Sequence, residues 1–348
     1  MKRPIVFAAV GLSLAFLLMT WSQALANEFY QGKTIRFIVG FSAGGGYDSY
    51  TRTIARHIGK HIPEKPGTVV ENMDGAGSIL AANHIYNKVE PDGLTVGIWN
   101  SHNVFNDAMD DKSIRIDGRK IGWIGAPSKD TVVCAIMGFT GPKTFADIRK
   151  SQKAVKMGAT RSGNTVHLPM MLNKWAETNF EIIPGYGGTS RIRLAMQSRE
   201  VDGGCWSWES MRTTARAMLD AKGGDELIPF IIHKNWNEPE VKEIAQFTKV
   251  IKDPDNLRAY TTWNASNEFA RPFSLPPGAP KDRLELLRRA FTATMKDPEF
   301  IADAEKSKLD LNYVSAAEIE KQVELIYSMP PKIKENLQFL MRKGDRQS

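Results

Sequence analysis

From residue 34 onward, apolar residues come in short runs, and each run leads through a turn of small residues into a stretch with helical spacing. Alternating strand-like and helix-like segments predict an α/β sheet. The pattern places a strand at 34–41, the turn Ser42-Ala43-Gly44-Gly45-Gly46, and a helix over 49–61 with Asp48 as its N-cap. A strand at 68–72 meets Asp74-Gly75-Ala76-Gly77-Ser78 and a helix over 79–87. A strand at 95–99 meets Asn100-Ser101-His102-Asn103. Farther on, 155–157 runs into Gly158-Ala159-Thr160-Arg161-Ser162-Gly163-Asn164-Thr165 and a helix over 166–176. The strand 181–184 runs into Tyr186-Gly187-Gly188-Thr189-Ser190 and a helix over 191–197. The last third reads as outer packing helices with solvated charged faces: 281–295, a second opened by Asp297-Pro298, a third opened by the capping box Ser315-Ala316-Ala317-Glu318, and a last one after Pro330-Pro331.

The repeated unit matters more than any one of its copies. In open α/β sheets, ligands bind beyond the carboxyl ends of the strands, where every one of these turns falls. Each helix start offers unpaired N–H groups and about half a unit of positive charge. Glycine lets the backbone come close to a ligand. Several such ends facing one gap bind an anion without a cluster of Lys or Arg.

Composition adds a compartment. Met1-Lys2-Arg3, an apolar run from about Ile5 to Met19 and Ala24-Leu25-Ala26 form a basic region, an apolar core and an A-x-A site. This predicts a secretory signal peptide over 1–26, cleaved after Ala26, and a periplasmic protein. Cleavage removes Lys2 and Arg3, lowering the formal charge from +7 to +5. That excess is scattered, so the chain lacks the basic stripe of a nucleic-acid binder. Cys134 and Cys205 have no framework spacing and read as two buried apolar residues, with pairing left open. His57 and His61 lie four apart on a helix with no third ligand, so they read as a solvated face, and no metal is expected.

Gly40-Phe41-Ser42-Ala43-Gly44 spells G-x-S-x-G, the nucleophile elbow of serine hydrolases. The acid and base available later in the chain are Asp202 and His233. Ser42 follows the first strand, so no earlier strand supplies a second oxyanion donor, and about a third of the chain follows His233. No catalytic residue is therefore assigned. Gly44 and Gly46 with Glu71 sketch a dinucleotide site, but Ser49 stands where the third glycine belongs, and no G-K-[ST] is present. No cofactor is expected.

The stretches "IRFIVGFSAGGGYDSYTRTIARHI", "VVENMDGAGSILAANHIYNKVEPDGLTVGI", "IIPGYGGTSRIRLAMQSREVDGG" and "FSLPPGAPKDRLELLRRAF" together resemble the Bug-type receptors, the extracytoplasmic solute-binding proteins of tripartite tricarboxylate transporters. The resemblance runs from about Gln31 to Leu340. It implies an α/β, two-lobed periplasmic-binding-protein fold of type II character with the ligand in the interlobe cleft. Lobe 1 is expected at 27–130 plus 240–348 and lobe 2 at 131–239. The implied ligand is a small carboxylate, a di- or tricarboxylate or an aromatic acid. The implied partners are the membrane permease subunits, with the receptor itself a monomer. An exported sensor that signals on closure is the alternative from another class.

The family's ligand loops fall here on Ser42, Ala43, Gly44, Gly45, Gly46 and Asp48, then on Gly77 and Ser78, and on Asn100 and Ser101. In the middle of the chain they fall on Thr160, Ser162, Asn164, Thr165 and His167, then on Gly187, Gly188 and Thr189. Arg191, with Arg161, is a candidate fork for a second carboxylate. Ser207 lies in Gly203-Gly204-Cys205-Trp206-Ser207-Trp208, where the family tends to have an acidic residue followed by Asn. This change brings indoles toward the cleft, and Tyr47, Tyr186, Trp206 and Trp208 become candidate walls for an organic stem.

Overall fold

The structure, a computed structural model, describes residues 29–234 and 238–341. The expected signal peptide falls outside the described residues. Among them, no helix is long and apolar enough to cross a membrane.

Among the described residues, twelve strands form two sheets. The first contains β1 (Thr34–Val39), β2 (Gly67–Asn72), β3 (Thr95–Ile98), β4 (Gly122–Ala126), β11 (Phe273–Leu275) and β12 (Val314–Ser315), in the order β12-β4-β11-β3-β1-β2. The second contains β5 (Val132–Met137), β6 (Val155–Gly158), β7 (Phe180–Ile183), β8 (Gly203–Ser207), β9 (Leu227–Ile232) and β10 (Ala245–Gln246), in the order β10-β9-β5-β8-β6-β7. The sheets share one plan. In each, three parallel strands (β2-β1-β3 and β7-β6-β8) are followed by an antiparallel one, β11 or β5. Both antiparallel strands immediately follow the segments that carry the chain from one sheet to the other. Those two segments lie side by side: the Ala270 amide donates to the Ser128 carbonyl at 2.9 Å, and the Asp130 amide to the Asn267 carbonyl at 2.8 Å. The expected boundary at 240 falls before β10, which is still paired to β9.

Central strands are buried on both faces and therefore read as continuous apolar runs, as in Thr95–Ile98 and Val132–Met137, whereas the edge strand β2 alternates between half-buried and exposed. Two of the C-terminal helices start where their caps put them, and a third falls where its spacing put it. Asp297 accepts from the Glu299 amide ahead of Pro298–Lys306, Ser315 and Glu318 form the capping box of Ala316–Tyr327, and Lys281–Met295 keeps the expected bounds.

Two expectations change. The face carrying His57 and His61 is docked rather than solvated: His57 meets Asp303 at 2.9 Å and His61 meets Asp297 at 2.7 Å, so the helix Gly46–Ile58 and its extension pair with the helix Pro298–Lys306 and its cap. Cys134 and Cys205 are joined by a disulfide. β5 and β8 are antiparallel neighbours whose register sets these two residues directly opposite each other, a pairing that sequence spacing cannot reveal.

Candidate functional site

The carboxyl ends of the parallel strands in the two sheets face each other across a cavity of about 60 Å³. At about 10–15 Å³ per water, that space holds a few waters or a compact organic molecule. Gly45, Gly46 and Tyr47 line it where the helix Gly46–Ile58 begins, and Asn100, Ser101 and His102 where His102–Ala108 begins. Thr160, Ser162, Asn164 and Thr165 line it around the start of Asn164–Ala176, and Thr189 does so at the start of Thr189–Gln197. Ser207 and Ser210 come from the start of Trp208–Thr214, while Phe41 and Trp206 supply apolar wall. Three of these helices, the longest around the cavity, begin after a glycine (Gly45, Gly163 and Gly188) with no side-chain cap. Glycine caps leave first-turn N–H groups for a guest.

The remaining expected residues have other work. The Ser42 hydroxyl meets the Ser190 hydroxyl at 2.8 Å, and its amide donates to the Gly187 carbonyl. Gly77, Gly187 and Gly188 sit on the same seam between lobes, against Ser162, Asp74 and Ser42. Ser78 is buried and accepts from the Asn100 amide at 2.8 Å, and His167 accepts from the Trp263 indole at 3.1 Å; both shape the loops from behind. Ala43 and Gly44 are exposed.

Asp48 is not an N-cap. The helix begins at Gly46, so Asp48 sits inside its first turn, where it accepts from the Gly44 amide, Arg52 and Asn72. Burial pushes its pKa upward, but these hydrogen bonds outweigh burial and hold the carboxyl below its ordinary range. Its charge is thereby spent on the chain itself. Arg191 is exposed and Arg161 half-buried, and neither lines the cavity, because the first turn of Thr189–Gln197 points Arg191 outward. Trp208 is buried and donates to Glu238; of the four aromatic candidates, Tyr47 and Trp206 reach the cavity.

The charged group at the cleft is one that sequence reasoning missed. Arg271, 1 % exposed, comes from the second segment joining the lobes. It donates to Asp130 at 2.5 Å and Ser128 at 2.7 Å, both in the first joining segment, and to Ser207 at 2.8 Å in the second lobe. Its guanidinium also lies 4.5 Å from the Tyr50 ring centroid. Burial opposes its charge, while Asp130 favours it. Beside it Glu209 accepts from the Thr131 amide, and burial together with the Asp130 charge pushes its carboxyl well above the ordinary range. The signal in the sequence was faint: a lone arginine in the apolar run Phe269-Ala270-Arg271-Pro272-Phe273. His102, also at the cavity, is held neutral by burial, its pKa lowered to about 3.

The hydrolase arrangement does not form. Ser42 bonds to serine rather than histidine, His233 bonds to the Tyr260 hydroxyl at 2.7 Å, and Asp202 accepts from the Lys156 amide.

Comparison with known structures settles the architecture. BugD, a periplasmic binding protein, aligns over 88 % of this chain and 97 % of its own at 17 % identity with a TM-score of 0.68. The fold is that of the two-lobed periplasmic binding proteins. Malate-bound MatC of Rhodopseudomonas palustris shares it (16 % identity, 88 % and 99 % coverage, TM-score 0.67), as does an adipate-bound protein of R. palustris (14 %, 88 % and 97 %, 0.68). A UPF0065 protein from the gbd 5' region of Cupriavidus necator is 36 % identical over 75 residues, which is 22 % of this chain and 22 % of that protein. No protein-family model matches the chain.

In this binding-protein fold the glycines serve closure as much as ligand contact. A Cβ on Gly46 of the first lobe would lie 2.5 Å from the Ser210 hydroxyl of the second, and one on Gly77 2.4 Å from the Ser162 amide. From the other side, a Cβ on Gly163 would meet the Asn100 amide group at 2.2 Å. Gly46 is the cleanest probe, because its φ is not positive and only the approaching lobe excludes a side chain. Gly46→Ala is expected to leave thermal stability intact, since alanine favours the helix, while weakening ligand binding on the order of tenfold to a hundredfold. Calorimetry reads the affinity and X-ray scattering the wider cleft; unchanged affinity would refute the closing role.

Proposed function

We propose that this protein is an extracytoplasmic solute-binding receptor of the Bug type. In this reading it is exported, captures a small organic acid between its lobes and presents the closed form to the permease of a tripartite tricarboxylate transporter. It makes and breaks no bond. The observation that carries the reading is the cavity ringed by three glycine-capped helix starts contributed by both lobes. A carboxylate held there interacts with N–H groups from both sides, so it favours the closed state through contacts that the open state lacks. In this proposal the second lobe runs from 131 through β10, the first takes 27–130 with the chain that follows, and the protein acts as a monomer. The malate and adipate in the two Rhodopseudomonas proteins of the same fold support a carboxylate as guest.

A thermal-shift screen of refolded, ligand-stripped protein against small organic acids tests this. A guest at about a hundred times its Kd adds about 2.7 kcal/mol of stability and a clear rise in melting temperature. If no acid in a broad panel raises it, the reading fails.

A further inference from the structure

The proposed receptor reading leaves the chemical class of the acid open, and one corner of the cavity narrows it. Asp130 lines the cavity and is 8 % exposed. It uses Oδ1 on Arg271, and Oδ2 has no hydrogen-bond partner among the described residues. The cavity therefore carries an anionic acceptor on its own wall. In the same corner the Ser210 hydroxyl is buried without a partner, and a Cβ on Gly46 would lie 2.5 Å from that hydroxyl and 3.5 Å from Arg271 Nη2. Donors and an acceptor thus stand side by side.

Resting on that reading, we propose that the cleft recognises the head group of an α-amino acid, with the ammonium on Asp130 and the carboxylate against Gly46, Ser210 and Arg271. Two opposite charges separated by one carbon match two opposite charges held in one ion pair. Charge balance points the same way. Arg271 and Asp130 neutralise each other, and among the described residues they are the only Asp, Glu, Lys or Arg side chains lining this cavity. A zwitterion leaves the closed cavity neutral, a simple monocarboxylate adds one uncompensated charge and a dicarboxylate adds two, and buried unpaired charge is costly. The helix starts can favour a carboxylate, but they offer nothing to the open oxygen of Asp130. Phe41 and Trp206, in so small a cavity, suit a short aliphatic side chain.

The test is calorimetry on refolded, ligand-stripped protein with L-alanine and L-valine, their deamino counterparts propionate and 3-methylbutanoate, and succinate. The amino acids are expected to bind at least about tenfold tighter than their counterparts and than succinate. Asp130→Asn should erase that preference; should this variant fail to fold, the wild-type ratio alone decides. Equal affinity with and without the amino group, or tighter binding of succinate, overturns the amino-acid head group while leaving the receptor reading standing. Binding of none of these, together with a negative broad acid screen, overturns both.

Discussion

Arg271→Ala should destabilise the protein by about 3–5 kcal/mol and abolish ligand binding. The side chain is buried and paired, and removing one partner of a buried pair leaves the other as an uncompensated charge. It also removes the guanidinium hydrogen bonds to Ser128 and Ser207, which link the joining segments to the second lobe. Arg271 has φ of 57°, a left-handed conformation that is strained for any residue with a Cβ, and the side-chain network holds it there. Urea unfolding measures the loss. The double variant Arg271→Ala with Asp130→Asn should recover part of it, because no buried carboxylate is then left unpaired. A loss below about 1 kcal/mol in the single variant would show that the pair is not desolvated as the structure has it.

Removing the disulfide is the second large effect. Cys134 and Cys205 are 71 residues apart, and closing a loop of that length stabilises by about 4 kcal/mol in the chain-entropy account. Both sulfurs lie in the middle of the second sheet, where β5 also carries the chain in from the first lobe. Reduction, or a Cys134→Ala/Cys205→Ala variant, should lower the melting temperature by several degrees and loosen the second sheet first. Hydrogen exchange would show early loss of protection in β5 and β8 while β1 and β3 stay protected. Identical melting curves with and without reductant would contradict the bond.

The local rules were legible where they act over a few residues. The capping box at Ser315 and the proline-opened helix at Pro298 fall where the sequence put them, since a cap and its target amides are adjacent in the chain. The glycine turns were also legible, but their role was only half visible. Gly45 and Gly46 line the cavity, while Gly77, Gly163 and Gly187 press against side chains of the opposite lobe. A close approach between lobes has no local signature.

Asp48 and Arg191 show the limit from the other side. The helix start lay three residues earlier than the pattern suggested, which moved Asp48 from the cap into the first turn. At Arg191 the helix phase, set by how Ile192, Ala195 and Met196 pack, turned the arginine outward.

The sequence alone determined that this chain alternates strands and helices, and that its turns are built for backbone contact at strand ends. Those properties follow from residue spacing and from glycine itself. Tertiary structure decided which groups meet. The pairing of Asp130 with Arg271, 141 residues apart, and of Cys134 with Cys205 depends on strand order and on two chain crossings. No local preference encodes these, because the energy that fixes them comes from burying both sheets at once.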